Sequence, residues 1–365
     1  MHALAVAMIA LVLGLGVPIA AQERVPASPP MALEDIAPIR ALYLTSNIAA
    51  GAAFPRFLRL LDTTSINALV IDLKDANGRL AFRPESAALQ AYAPKTVTIP
   101  DLRARVAQIH DRHGIAIARI PVFQDTWFAE RVPSEALKTE DGSIWRDRIG
   151  GAWLDPTSTK VTTYAIDLAR EAAALGFDEV NFDYIRFPSD GGIHRIRYPH
   201  WDGKMSRRSV IQQFARAIDT NVRKRGIPAS ADLFGLVLWS TGDLGIGQHL
   251  ESIAPYFDVI APMVYPSHYV TGFLGKKNPA EHPFEVVAAT IRRGTERLAK
   301  IPDGSRPIIR PWLQDFNIGA KYGAREVLAQ QRGSDESGGV GWMVWNPLGR
   351  YHPLAFQRND SSVSP

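Results

Sequence analysis

Three aspartates interrupt apolar runs in the same way. They are Asp72 in Val70-Ile71-Asp72-Leu73-Lys74, Asp183 in Glu179-Val180-Asn181-Phe182-Asp183-Tyr184, and Asp232 in Ser230-Ala231-Asp232-Leu233. Side chains alternate between the two faces of a strand. Asn181 and Asp183 therefore share one face while Val180 and Phe182 share the other. Ser230 pairs with Asp232, and Asp72 aligns with Val70 and Lys74. If the apolar parity faces a layer of helices, the polar parity gathers three carboxylates, and Arg119 intrudes into a fourth apolar run in the same manner. Crowded carboxylates raise the pKa of at least one of them, which is what general acid catalysis near neutrality needs. One carboxylic acid and one carboxylate flanking a bond are the requirement for cleaving a glycosidic linkage. The competing reading is a buried charge network, Asp72 with Arg119 or Asp183 with Arg186.

Other polar clusters carry less. Asp155-Pro156-Thr157-Ser158 reads as a helix start, with Asp155 as the N-cap. Asp75-Ala76-Asn77-Gly78 reads as a turn, and Asp315 is a weaker site candidate. His110 and His113 are three apart on a helical stretch without an evident third ligand, so no metal and no cofactor is expected. The chain lacks the nucleophile elbow, the P-loop and the dinucleotide fingerprint. It has no cysteine, which excludes disulfides, zinc thiolates and a Cys nucleophile.

The elements that must position these residues alternate. Strand-like runs fall at 41–44, 68–71, 115–122, 179–184, 229–234, 258–264, 307–312 and 340–345. Helical stretches near 57–61, 102–113, 158–175, 210–224, 286–298 and 324–330 lie between many of them. Alternating β and α implies a parallel sheet, and eight units predict an α/β fold of one domain, a single (β/α)8 TIM barrel. A doubly wound open sheet is the alternative. Long loops are expected after strands 3, 4 and 6, at 123–156, 188–205 and 266–283. All three follow strand C-termini, the face on which barrels carry their sites. Their aromatics (Trp127, Trp145, Trp153, Tyr198, Trp201 and Tyr269) suit either stacking on sugar faces or pinning the loops down.

The 365 residues include 46% hydrophobic and 21% charged side chains with a net charge of +4, ordinary globular composition. There is no basic stripe, so a nucleic-acid partner is not expected. Residues 3–17 are almost wholly apolar, and Ala20-Ala21 supplies small residues for cleavage. This predicts a signal peptide over 1–21, an extended tether over 22–38, the barrel over 39–352 and a tail over 353–365. The mature protein would be exported, periplasmic or secreted, with no stable membrane span.

The stretch Gly176-Phe177-Asp178-Glu179-Val180-Asn181-Phe182-Asp183-Tyr184-Ile185-Arg186-Phe187-Pro188 resembles the signature of a bacterial putative glycosyl hydrolase domain family, a domain of unknown function with a predicted TIM-barrel fold. Val70 to Asp75, Ala118 to Ile120, Ser230 to Gly235 and Ala261 to Tyr269 match it as well, and the similarity runs from about residue 40 to 351. The resemblance implies a barrel that acts on, or binds, a polysaccharide or oligosaccharide. By analogy with sugar-cleaving barrels it implies Asp183 as nucleophile or base and Asp232 as acid, with Asp72 as the substitute acid. Arg119, Arg186 and Tyr265 would orient the carboxylates or hold sugar hydroxyls, beside Lys74, Asn181 and Trp345. A non-catalytic carbohydrate-binding barrel would use the same groups without needing two carboxylates across one bond.

Overall fold

Short runs of residues buried on both faces make the staves of the sheet, as a parallel sheet covered by helices requires. They are β1 (Arg40–Leu44), β2 (Ala68–Asp72), β3 (Ile115–Pro121), β4 (Glu179–Asp183), β5 (Ala229–Phe234), β6 (Val259–Met263), β7 (Ile308–Ile309), β8 (Trp312–Gln314) and β9 (Trp342–Trp345). A computed structural model describes residues 38–302 and 306–358. The expected signal peptide, nearly all of the tether and the end of the tail lie outside the described residues.

Every strand pairing is parallel. The order β5-β4-β3-β2-β1-β9-β8-β6 is closed by β5 pairing with β6. β7 and β8 are two pieces of one stave: Ile308 sits opposite Val259 and Trp312 opposite Met263, both on β6. The break falls at Pro311, which has no N–H to give a neighbouring strand. The nine pieces thus form eight staves and a closed (β/α)8 barrel, as expected.

The helices are α1 (Ser46–Ala50), α2 (Phe54–Thr63), α3 (Ala87–Gln90), α4 (Leu102–His110), α5 (Thr126–Arg131), α6 (Thr159–Ala174), α7 (Arg207–Asn221), α8 (Leu250–Ile253), α9 (Pro283–Leu298) and α10 (Ala324–Asp335). The N-cap of α6 is Ser158, whose hydroxyl accepts the Val161 amide at 3.1 Å, and not Asp155. Asp155 is spent elsewhere: Oδ1 accepts from Thr157, and Oδ2 accepts the amides of His200 and Trp201. It ties the loop after β3 to the loop after β4. Among the described residues no helix is long and apolar enough to cross a membrane.

The core has two shells. Leu42, Leu69, Ile71, Val180, Phe182 and Ala231 point out to the helices. Ala41, Tyr43, Val70, Ile117, Trp312 and Met343 fill the barrel. The strict alternation leaves Asp72, Arg119, Asn181, Asp183, Ser230 and Asp232 on the inward parity. The long segments after β3, β4 and β6 are present. One more was not foreseen: residues 73–101 after β2, stitched down by buried Leu80, Phe82, Leu89 and Ile99. The first residues of the expected tail belong to the fold, since Phe356 is buried against Trp342 and its carbonyl accepts the Ser65 amide at 2.7 Å.

Candidate active site

Arg119 projects inward from β3, between β2 and β4. Nη1 donates to Asp72 Oδ1 at 2.7 Å and Nη2 donates to Asp183 Oδ2, while Nε stands 4.0 Å from Asp232 Oδ2. Register explains the reach. Arg119 lies directly opposite Asp72 on β2, and Pro121, one inward step further along, lies opposite Asp183 on β4. One guanidinium therefore serves three carboxylates at the C-terminal ends of three staves. The carboxylate cluster and the expected Asp72–Arg119 pair are parts of one object, but the expected Asp183–Arg186 pair is not formed: Asp183 is held by Arg119 instead.

The carboxylates are not equivalent. Asp232 is the deepest, with its side chain 1% exposed against 8% for Asp72 and for Asp183. Its Oδ1 accepts from Asn181 Nδ2 at 2.8 Å and from the Trp312 indole at 2.7 Å. Its Oδ2 has no hydrogen bond among the described residues and stands within ion-pair distance of Arg119 Nε, at 4.0 Å. Burial, then the neighbouring Asp183 charge, push its pKa well above the ordinary carboxylate value, against Arg119, Asn181 and Trp312. Burial also raises Asp72, although Arg119 and the Tyr43 hydroxyl, which donates to Oδ2, favour its ionised form. Asp183 accepts its own neighbour's amide, Tyr184 N–H, on Oδ1. That contact accompanies a left-handed turn at Tyr184, φ 53°, rare outside glycine, which swings the chain out of the strand. For Arg119, burial works against the charge, but Asp72, Asp183, Tyr43 and Asp232 outweigh it and hold the group firmly protonated.

Two expected contact residues do not face the mouth. Asn181 is fully buried beneath Asp232, and its amide donates to Asp232 and to Ser230 Oγ at 2.9 Å. It holds a carboxylate and cannot reach a substrate. The same polar column continues down, from Ser230 to Glu179 at 2.6 Å and from Arg310 to Glu179. Lys74 shares the sequence parity of Asp72, but β2 ends at Asp72 and the chain bends. Its ammonium is sealed against Asp125 Oδ2 at 2.7 Å, 1% exposed, over the Tyr164 ring of α6. The alternation rule fails there because it holds only while the strand continues.

Tyr265 and Trp345 do stand beside the cluster. Their rings stack at 5.7 Å with planes 27° apart, joined by Phe316 and Tyr43. Of the loop aromatics, Trp145, Trp153 and Tyr269 are buried, and Tyr198 and Trp201 pack on Phe187, so these mainly pin the loops. Asp315 is buried in a pair with His352 Nδ1 at 2.6 Å. Sequence reasoning missed Tyr43 and Trp312. The signal for Tyr43 was its shared parity with Ala41, on the inward face of β1. Among the described residues no cluster of three or more His, Asp or Glu side chains could hold a metal ion, and His110 instead pairs with Asp178 at 2.9 Å.

Residues 41–351 match a family described as "Putative glycosyl hydrolase domain". No curated protein matches the chain. Among solved structures, the glycoside hydrolase domain of PgaB (BpsB) from Bordetella bronchiseptica is 12% identical, covering 88% of this chain and 99% of its own, with a TM-score of 0.58. An α-galactosidase from Thermus thermophilus is 14% identical over 87% of this chain and 60% of its own, TM-score 0.53. A hypothetical protein from Ruminiclostridium thermocellum is 30% identical over 52% of this chain and 96% of its own, TM-score 0.46. At such low identity the first two likenesses speak to the barrel fold.

Proposed function

The chain belongs to the family described as "Putative glycosyl hydrolase domain", and from that premise we propose an exported glycoside hydrolase that cleaves a cell-envelope or extracellular polysaccharide. The observation that carries the chemistry is the sharing of the Arg119 guanidinium by Asp72, Asp183 and Asp232. Three buried carboxylates around one cation cannot all be ionised cheaply, so a proton resides in the cluster. Asp232, the most desolvated, holds it on Oδ2, the oxygen not taken by Asn181 and Trp312, and donates it to the leaving glycosidic oxygen. Asp183, bridged to Arg119, attacks the anomeric carbon or activates water. Asp72 keeps Arg119 in place together with Tyr43. The Tyr265–Trp345 stack offers an apolar wall for a sugar ring.

The test is a glycan screen. Wild type, Asp183→Asn and Asp232→Asn are incubated with envelope and exopolysaccharide fractions, and new reducing ends are measured. Cleavage by the wild type, lost by several orders of magnitude in both variants, is the expected result. Binding without cleavage by the wild type would replace the hydrolase with a carbohydrate-binding barrel. Export is checked separately, by finding the mature protein outside the cytoplasm with its N-terminus near residue 22.

A further inference from the structure

The most unusual charge at the mouth is not in the Asp cluster. Arg186 follows Asp183 by three residues, just beyond the Tyr184 turn, and is 9% exposed. Its guanidinium carbon lies 4.7 Å from the ring centre of Phe234, 4.8 Å from Trp153 and 5.3 Å from Tyr184. Phe234 ends β5, Tyr184 follows β4 and Trp153 belongs to the loop after β3, so all three place Arg186 on the catalytic face. Nη1 donates to the Phe187 carbonyl at 3.2 Å and to Ser189 Oγ at 3.1 Å. No carboxylate lies within ion-pair distance of it among the described residues. Asp183, Asp190 and Asp147 act on it only at longer range. Asp183 is taken by Arg119. Asp147 is taken by Gln124, Trp153 and the amides of Ile149 and Gly151, and Asp190 is exposed. Among the described residues the hydrogen bonds of the guanidinium are both made by Nη1.

A guanidinium taken out of water without a paired anion is costly. Here three ring faces flank it, and Nε and Nη2 have no hydrogen-bond partner among the described residues. A planar fork of N–H donors fits the two oxygens of a carboxylate. We propose that Arg186 is the acid-recognising subsite of this barrel, and that its glycan carries a carboxylate, a uronic-acid-type sugar, next to the residue that is cleaved. The proposal rests on the hydrolase reading for the location of the scissile bond, but not for the binding itself.

The experiment is calorimetric titration of full-length Asp183→Asn, which cannot turn over. The probes are trimers of galacturonate, mannuronate and glucuronate, their carboxyl-reduced neutral counterparts, and a sulfated neutral trimer. At least one uronate trimer should bind about tenfold or more tighter than its reduced counterpart, as a charge-assisted pair supplies. In Asp183→Asn/Arg186→Gln that preference should vanish while the neutral trimer keeps its affinity. Arg186→Lys, which keeps the charge but not the fork, should recover only part of it. Near-ultraviolet circular dichroism identifies any variant whose loops have come apart, and the Lys variant then decides. Uronates that bind no better than neutral trimers, or only sulfated sugars gaining from Arg186, overturn the proposal. Arg186-dependent uronate binding without cleavage by the wild type would sink the hydrolase reading and leave this subsite standing.

Discussion

Arg119 donates to Asp183 across the β3–β4 boundary, with the two side chains 13% and 8% exposed, while its other Nη holds Asp72 on the opposite side. Removing one member of a buried charge network leaves the others uncompensated, which costs about 3–5 kcal/mol. Arg119→Met should therefore lower stability by about that much and abolish activity, even though Arg119 touches no scissile bond in the proposed mechanism. Arg119→Lys should fall between, since one ammonium cannot span both carboxylates. Urea unfolding of both variants beside wild type makes the measurement. Stability unchanged in Arg119→Met would mean the carboxylates are already neutral without it.

Asp232 makes a signed prediction for pH. Its native pKa is raised above the unfolded value of about 3.9. Between those two values the native state binds more protons than the unfolded state, so this group's contribution to stability falls as pH rises through that window. Asp232→Asn removes the penalty and still accepts from Asn181 and Trp312. The variant should gain stability relative to wild type as pH rises above about 4, and the gain should shrink again in acid. Thermal melts at intervals from acid to neutral pH read it directly. A gap that widens in acid would show that Asp232 is ionised in the native protein.

The alternation rule carried the sequence reading furthest where the backbone obeyed it. Asp72, Asp183 and Asp232 could be brought together because β2, β4 and β5 stay extended up to those residues. Lys74 lies two residues past the end of β2, and its destination depends on the bend and on Asp125, which is 51 positions away. Asn181 has the right parity but sits one layer too deep, and depth is set by the shear of the closed barrel, not by local pattern. Arg186 was legible as a residue of the mouth. Its lack of a carboxylate partner was not, because that depends on where Asp147 and Asp183 spend their oxygens.

If Asp232 is the proton donor, Trp312 tunes it. The indole N–H on Oδ1 favours the ionised carboxylate, so Trp312→Phe should raise the pKa of Asp232 further. The alkaline limb of the pH–rate profile, where the acid loses its proton, should move to higher pH while the acid limb holds. A merely structural role for Trp312 would lower kcat at every pH and leave the limb in place. The profile is measured on whichever glycan the screen identifies.

The Lys74–Asp125 pair separates architecture from chemistry. It is sealed, 1% and 0% exposed, and Asp125 also accepts the Phe128 amide that starts α5. Gly78 crosses so close that a Cβ there would lie 1.9 Å from Asp125 Oδ1, on a backbone already at φ 86°. The pair thus clamps the segment after β2 to the loop after β3. Lys74→Met should strand the Asp125 charge and cost about 3–5 kcal/mol. In the double variant Lys74→Met/Asp125→Asn no buried charge remains, so much of that loss should return. Substrate affinity at a temperature where the double variant is folded should match wild type. Urea unfolding and binding titration of the three proteins decide it. An affinity loss that persists in the stabilised double variant would put Lys74 back among the groups that hold the glycan.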